Sequence, residues 1–401
     1  MRIIHTADWH LGQFFYSKSR AREHQAFLDW LLDQIAQHQV DALIIAGDLF
    51  DTGSPPSYAR EMFNRFVVAL QPSGCQLVVL AGNHDSVATL NESRELLACL
   101  NTQVITSATP QGEQQVLTLK QRDGAPGALL CAIPYLRPRD ILRSQAGQSG
   151  REKQISLLEA IEQHYQHCFA AAQSMNSALP IIATGHLTTV GVTKSDSVRD
   201  IYIGTLDAFP AQAFPPADYI ALGHIHRAQR IANSEHIRYS GSPIPLSFDE
   251  LGREKSVFLL EFGDKLKEVT PLTIPHFQPM QMLKGSMAEI EHQLAQFSGS
   301  TSEQPTWLDI EITTQEYLSD LQRRIEALTE NLPVEVLLVR RSREQRQRSL
   351  ERLENETLSE LKVEEVFARR LAQEDQLDAE QAEQLTQLFR TQLAALENPS
   401  A

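Results

Sequence analysis

Leu43-Ile44-Ile45-Ala46-Gly47-Asp48-Leu49-Phe50-Asp51 is the stretch whose reading decides the fold. An unbroken apolar run, then a glycine, then an acid describes a buried strand that delivers a charged side chain at its carboxyl end. Asp48 is the charge delivered. Taken alone, such a run is a structural turn more often than a site.

The construction recurs along the chain. Leu77–Leu80 leads through Ala81-Gly82 to Asn83-His84-Asp85, Ile181–Thr184 leads through Gly185 to His186, and Tyr219–Leu222 leads through Gly223 to His224-Ile225-His226. A further strand, Arg2–Thr6, runs into Ala7-Asp8-Trp9-His10. Each strand must turn sharply where its metal-competent residue sits, and a residue without Cβ permits φ > 0 and close backbone approach. In an open α/β sheet functional groups gather outside the carboxyl ends of the strands, so these tips are expected to face one crevice.

Composition sets the frame. With 401 residues, 42% hydrophobic and 22% charged, the chain is globular, long enough for two or three domains and a large core. No apolar run approaches the ~20 residues of a membrane helix. The chain opens directly on a strand rather than a signal peptide, so a cytoplasmic protein is expected. Cys75, Cys99, Cys131 and Cys168 show no pairing rhythm and read as free thiols in a reducing compartment. A formal charge of −15 weighs mildly against nucleic-acid binding by this chain alone, since phosphate contacts draw on Lys and Arg. Whole-chain charge does not describe a local groove, and bound divalent metals would offset part of it.

In chain order, Ser19–Gln37 carries Phe27, Trp30, Leu31 and Ile35 on one face, an amphipathic crossover helix. Ser54-Pro55-Pro56 signals a helix start before Tyr58–Leu70, whose apolar stripe reads first as core and second as a protein interface. A helix is expected over Asn91–Leu100, a surface excursion or hairpin over Ser107–Gly127, a strand over Leu129–Pro134 and a helix over Glu152–Ser174. His164, His167 and the other helical histidines have no matching acid and read as solvated surface. The polar segment Thr188–Arg199 is placed to cover the crevice, and the first domain, 1–275, closes after strands around Val257–Phe262. A compact α+β unit follows over 276–340, with strands Thr306–Thr313 and Val334–Val339 around a helix at Glu316–Glu330. Beyond Arg340, residues 341–401 suggest two short amphipathic helices, one with Val363, Val366, Phe367 and Leu371, the other with Leu385, Leu388, Phe389, Leu393 and Leu396. Helices so short need a surface to cover, so this tail is expected to dock on a partner.

The side chains dictate the chemistry. Asp8, His10, Asp48, Asn83, His186, His224 and His226 are too many donors for one ion of ordinary coordination number, whereas two ions sharing a carboxylate fit. Asp8 and His10, like His224 and His226, are two apart, and in an extended segment such residues point the same way. Asp48 is the natural bridge, with Asp8, His10 and His226 on one ion and Asn83, His186 and His224 on the other. Mixed nitrogen and oxygen donors favour manganese, iron or zinc over calcium or magnesium. Paired ions of this kind perform phosphoester hydrolysis. His84 is the candidate general acid for the leaving group, and Asp51 and Asp85 are candidates to orient the ligands.

Asp8-Trp9-His10, Gly47-Asp48, Gly82-Asn83-His84-Asp85, Gly185-His186 and Gly223-His224-Ile225-His226 resemble the motifs of the calcineurin-type metallophosphoesterases. His5–Gly12, Asp48–Gly53 and Leu222–His226 narrow the resemblance to the SbcD nuclease subunits of bacterial SbcCD complexes, and it extends through the second domain and the tail. The resemblance implies an α/β fold, a four-layer αββα sandwich with a small α+β capping domain and a helical C-terminal tail. It also implies two active manganese ions and a homodimer joined to an SbcC-type ATPase in a heterotetramer. The implied activity is on DNA, as 3′→5′ exonuclease at double-strand ends and single-strand endonuclease at hairpins, in repair, recombination and replication. No Gly-x-x-x-x-Gly-Lys-Ser/Thr phosphate loop occurs in the chain, so any ATP must come with the partner. Competing readings are a phosphoesterase for a nucleotide or phosphoprotein, and a DNA-end scaffold with a vestigial metal site. The capping domain and docking tail argue against the former, and the complete ligand set against the latter.

Overall fold

A computed structural model describes residues 1–142, 150–199, 208–298, 304–313, 318–341 and 385–389. The chain divides into two compact units, Met1–Gln281 and Met282–Ala401.

The first unit is built on two six-stranded sheets. One runs Leu266–Thr273, Ser256–Phe262, Arg2–Thr6, Ala42–Ala46, Gln76–Leu80, Thr102–Ile105, with the last four strands parallel. The other runs Gln229–Arg230, Ile237–Tyr239, Tyr219–Gly223, Ile181–His186, Pro126–Cys131, Val116–Lys120, parallel through its middle and antiparallel at both edges.

Strand periodicity explains the layering. Leu43 and Ile45 pack with Phe27, Leu31, Met62, Phe63 and Phe66 of the helices Ala21–His38 and Ser57–Leu70, while Ala42, Ile44 and Ala46 point the other way. There they meet Ala128, Leu130, Ile182, Tyr219 and Ala221 of the second sheet. Leu129, Cys131, Ala183, Ile220 and Leu222 face outward again, under Ile161, Tyr165 and Cys168 of the helix Gly150–Met175. The result is helix, sheet, sheet, helix. A one-residue slip of any central strand would exchange its two faces, so burial on both sides fixes the register.

One polar tie crosses the layer between the sheets. His5 Nδ1 lies 3.0 Å from the Tyr219 hydroxyl, and its Nε2 lies 3.2 Å from the Leu222 carbonyl oxygen. A carbonyl only accepts, so Nε2 carries the proton and Nδ1 accepts from the tyrosine. Burial pushes the His5 pKa down to about 3, which keeps the ring neutral in this role.

Two expectations need correction. The helix expected over Asn91–Leu100 is two helices, Val87–Glu92 and Arg94–Ala98. Ser86 starts the first early by accepting the Thr89 N–H at 3.4 Å, and Ser93, at φ −111°, interrupts the path. His24 is not solvated: it is fully buried, because it lies four residues before Leu28 and seven before Leu31 on the core-facing stripe. His164 is likewise partly buried, 3.8 Å from Cys168 Sγ, and burial lowers its pKa to about 4, while His167 is exposed as expected. The hairpin expected over Ser107–Gly127 is present: Val116–Lys120 pairs antiparallel with Pro126–Cys131.

In the second unit the strands Thr306–Ile312 and Val334–Arg341 run parallel, and Met280–Gly285 completes a three-stranded sheet. The helix Met287–Ala295 opens on a reciprocal capping box between Ser286 and Glu289, and Leu318–Thr329 is the second helix. Leu283, Ile290, Leu294, Leu308, Ile310, Leu321 and Ile325 form the core. Asp309, buried in this sheet, is paired with Arg340 at 2.7 Å. The tail helices expected around Val363–Leu371 and up to Leu396 lie outside the described residues, apart from 385–389, which are helical. No helix among the described residues is long and apolar enough to cross a membrane.

Candidate metal centre

The strand ends converge in the first unit. Ligand atoms of Asp8, His10 and His226 lie within 4.8 Å of one another, as do those of Asp48, His186 and His224, and those of His10, Asp48 and His84. Asn83 joins the second group, its Oδ1 2.9 Å from His186 Nε2 and 3.1 Å from His224 Nδ1. Asp48 Oδ2 stands between the groups, 3.1 Å from His186 Nε2 and 3.7 Å from His10 Nε2. All seven side chains named from the sequence as ligands are thus within one crevice, as are His84, Asp51 and Asp85.

The local backbone differs from the one expected. Asp8 (φ 56°), His10 (φ 46°), Asp48 (φ 51°) and His224 (φ 93°) are themselves left-handed, so Asp8 and His10 do not share a side by lying in an extended segment. A left-handed non-glycine residue costs ~1–3 kcal/mol and persists only where its surroundings over-determine it. Here backbone hydrogen bonds between loops do so: Asp8 N–H donates to Gly47 O at 3.0 Å, His10 N–H to Asp48 O at 3.1 Å and Leu11 N–H to Leu49 O at 2.9 Å. The His224 N–H donates to both Asp8 carboxylate oxygens, at 2.9 and 3.1 Å. Glycine serves two needs. Gly47 is left-handed at φ 98°, and a Cβ there would stand 2.1 Å from His186 Nδ1; at Gly82 the obstacle would be Asp48 Oδ1, also at 2.1 Å.

Hydrogen bonds from behind decide which nitrogen each imidazole presents. His186 Nδ1 lies 2.9 Å from the Ala46 carbonyl and must donate to it, so in the neutral ring Nε2 offers a lone pair to the crevice. That lone pair faces oxygens of Asp48 and Asn83, and three acceptors repel unless a cation or a proton lies among them. Burial would lower the His186 pKa, yet Asp48 outweighs it and raises the pKa to about 9, the same pull toward positive charge expressed as a proton. His10 Nδ1 is 3.1 Å from Asp51 Oδ1, and its buried Nε2 has no hydrogen-bond partner among the described residues. An orphaned imidazole nitrogen beside two carboxylates, with a second nitrogen–oxygen group 3.1 Å beyond Asp48 Oδ2, is a donor set that fits two divalent ions with mixed ligands.

Asp51 and Asp85 act on neighbours. Burial would raise Asp51, but its hydrogen bond with His10 holds it below the usual carboxylate range. Asp85 accepts backbone N–H from Leu49 (3.1 Å), Phe50 (3.0 Å) and Gly82 (2.9 Å), so one carboxylate fastens the Asp48 turn to the Asn83 turn. Burial, then the charge of Asp48, push it up to about 6 against those three bonds. His84 N–H donates to Asp48 Oδ1 at 2.9 Å and its Nδ1 to the Asp51 carbonyl at 2.7 Å, which leaves Nε2 to exchange protons. Burial lowers its pKa, partly opposed by Asp48.

Ser197 lies in the polar segment Thr188–Arg199 expected over the crevice, while other neighbours carry no clear signal in the sequence. Tyr135 sets its ring 6.4 Å from His186, and Arg137 crosses that ring while donating to the Asp85 carbonyl at 3.1 Å. Ser197 touches His226, and Glu250 with Lys255 lies behind it. These residues come from segments without periodicity; the only trace in the sequence is a Ser-Asp-Ser run and an Asp-Glu pair shortly before a lysine.

Comparison with known proteins agrees with this geometry. Residues 1–228 match the calcineurin-like phosphoesterase model, and residues 276–375 match the type 5 capsule protein repressor C-terminal domain. The chain is 65% identical over 401 residues to the SbcD subunit of nuclease SbcCD from Escherichia coli K12, covering 99% of this chain and 98% of that one. Identity is 35% to the SbcD subunit from Rhodobacter capsulatus (71% of each chain) and 31% to that from Bacillus subtilis (80% of this chain, 81% of that one). The chain therefore belongs to the calcineurin-like phosphoesterases and, within them, to the family of SbcD subunits of the nuclease SbcCD.

Proposed function

We propose that the chain is the metal-dependent nuclease subunit of an SbcCD-type complex, hydrolysing DNA phosphodiester bonds at double-strand ends and hairpins. In this reading Asp8, His10 and His226 would hold one manganese ion, Asn83, His186 and His224 a second, and Asp48 would be shared between the two groups. The observation that carries it is the Asp48 carboxylate standing between two donor groups whose lone pairs converge. Bound metals in such pairs acidify a water, orient phosphoryl oxygens and stabilise in-line displacement.

The chain's own residues supply the rest. Asp51 and the Ala46 carbonyl hold His10 and His186 in the tautomers that turn Nε2 to the metals. Asp85 keeps the Asp48 and Asn83 turns together. His84, tethered through Nδ1, turns Nε2 to the crevice, where it would take up a proton released by the attacking water and, as imidazolium, pass it to the leaving oxygen; the lowered pKa favours that release.

The family supports the wider assignments: residues 276–340 as a capping domain, 341–401 as the arm that docks on an SbcC-type ATPase, ATP entering only through that partner, and a homodimer within a heterotetramer at the nucleoid. Manganese-dependent digestion of hairpin DNA, set beside hydrolysis of a nucleotide monoester, tests the function. Hairpin cleavage is expected to dominate. Efficient monoester hydrolysis with intact hairpins would move the protein to a small-molecule phosphoesterase.

A further inference from the structure

Behind the Asp8, His10 and His226 group lies a buried charged network that the ligand set does not account for. Glu250 and Lys255 are 1% and 6% exposed, and their charges meet at 2.5 Å. Every proton of the Lys255 ammonium is used: it donates to Glu250 Oε2, to the Ser242 hydroxyl at 2.8 Å and to the His226 carbonyl at 3.0 Å. Glu250 Oε2 also accepts the Leu246 N–H at 3.1 Å, and Oε1 accepts from Ser195 at 2.8 Å and Ser197 at 2.6 Å. Ser197 Oγ then stands 2.6 Å from His226 Nδ1.

Proton counting orders this chain of contacts. Glu250 faces only donors, the Lys255 ammonium, the Leu246 N–H and the two serine hydroxyls, and a carboxylate paired with an ammonium in this way only accepts. Ser197 therefore spends its single O–H on Glu250 and has only lone pairs left for His226. Nδ1 of His226 must carry the proton, which leaves Nε2 as the nitrogen with a lone pair to offer in the group with Asp8 and His10. The same two serines, with the Thr193 N–H on Gln229 Oε1 (2.9 Å) and the Asp196 N–H on Asp249 Oδ1 (3.2 Å), pin the segment Thr193–Ser197 beside the centre.

We infer that Ser197, Glu250 and Lys255 form a positioning relay that fixes the tautomer and ring orientation of His226, and so tunes one of the two metal positions selectively. Such a carboxylate normally hydrogen-bonds the histidine directly; here Glu250 Oε1 stays 3.6 Å from His226 Nδ1 and Ser197 makes the closer contact, at 2.6 Å from each partner. Breaking support behind a metal-binding histidine costs ~10–100-fold in metal affinity. The inference rests on the dimetal reading above.

Manganese titration calorimetry on the full-length chain, paired with a thermal melt of the metal-free protein, tests it. Ser197→Ala is expected to weaken one of the two manganese ions by ~10–100-fold, spare the other, and leave the metal-free melting temperature within a few degrees of wild type. Ser197→Thr, which keeps the hydroxyl, should restore the lost affinity. The double change Glu250→Gln with Lys255→Met removes both charges together and avoids a lone buried ion; it should weaken the same ion. Two wild-type affinities in Ser197→Ala, or equal loss at both ions, would overturn the relay while leaving the dimetal reading intact. Wild-type protein that takes up fewer than two manganese ions would overturn both.

Discussion

At the residue scale, His84 is the only group in the crevice assigned to proton transfer rather than to holding metal. His84→Ala is expected to keep both manganese ions and lose hydrolysis by ~10²–10⁴-fold, the usual worth of general acid–base catalysis. Metal content and nuclease rate measured on the same preparation check it, and either lost metals or an undiminished rate would remove His84 from that role. His24 yields a pH prediction. Burial, and secondarily Arg20, lower its pKa from 6.5 to about 3, so on acidification the unfolded chain takes up this proton first. Stability is then whole above pH 6.5 and falls as pH drops toward 3, at ~1.4 kcal/mol per pH unit for each such group. His24→Leu should flatten the acid limb of melting temperature against pH, and an unchanged slope would contradict this. The ligands are legible in the sequence because they cluster where apolar strands end, four of those strands through a glycine and the first through Ala7. Their left-handed backbone is not, because the contacts that enforce it, such as Asp8 N–H on Gly47 O, join turns far apart in sequence. His24 departs from the solvated reading of the helical histidines, although its spacing from Leu28 and Leu31 marks it for the core.

At the element scale, the central strands declare themselves through apolar runs, and the crossover helices through their stripes. The apolar residues Met62, Phe63 and Phe66 are core, the first of the two readings their stripe allows. Caps are the weaker signal: Ser86 and the Ser286–Glu289 box both mark helix starts that the apolar pattern alone does not place. The tail carries the sharpest prediction here. Removing residues 360–401 takes away two apolar stripes and none of the proposed ligands, the last of which is His226. Single-stranded DNA hydrolysis should persist and binding to the ATPase should be lost. A pull-down and a thermal melt of the truncated protein decide: retained binding with a lowered melting temperature would mean the helices clamp the chain's own body.

At the scale of the whole molecule, the two sheets meet along a layer of small and branched side chains, with His5 and Tyr219 as a polar tie between them. Asp8, Asp48 and Asn83 follow strands of one sheet, and His186 and His224 those of the other, so the centre forms only when both are in register. The proposed assembly contains a second copy of the chain. A mass near twice 45.0 kDa is expected from light scattering at micromolar concentration, and a strictly monomeric mass would count against the dimer. What ties both sheets to one chemistry is Asp48. Hairpin-DNA cleavage by Asp48→Asn across a manganese titration is the most direct test, because a neutral amide cannot offset two divalent charges. The account predicts a folded protein with no cleavage at limiting manganese; cleavage there at the wild-type rate would contradict a bridged two-metal centre.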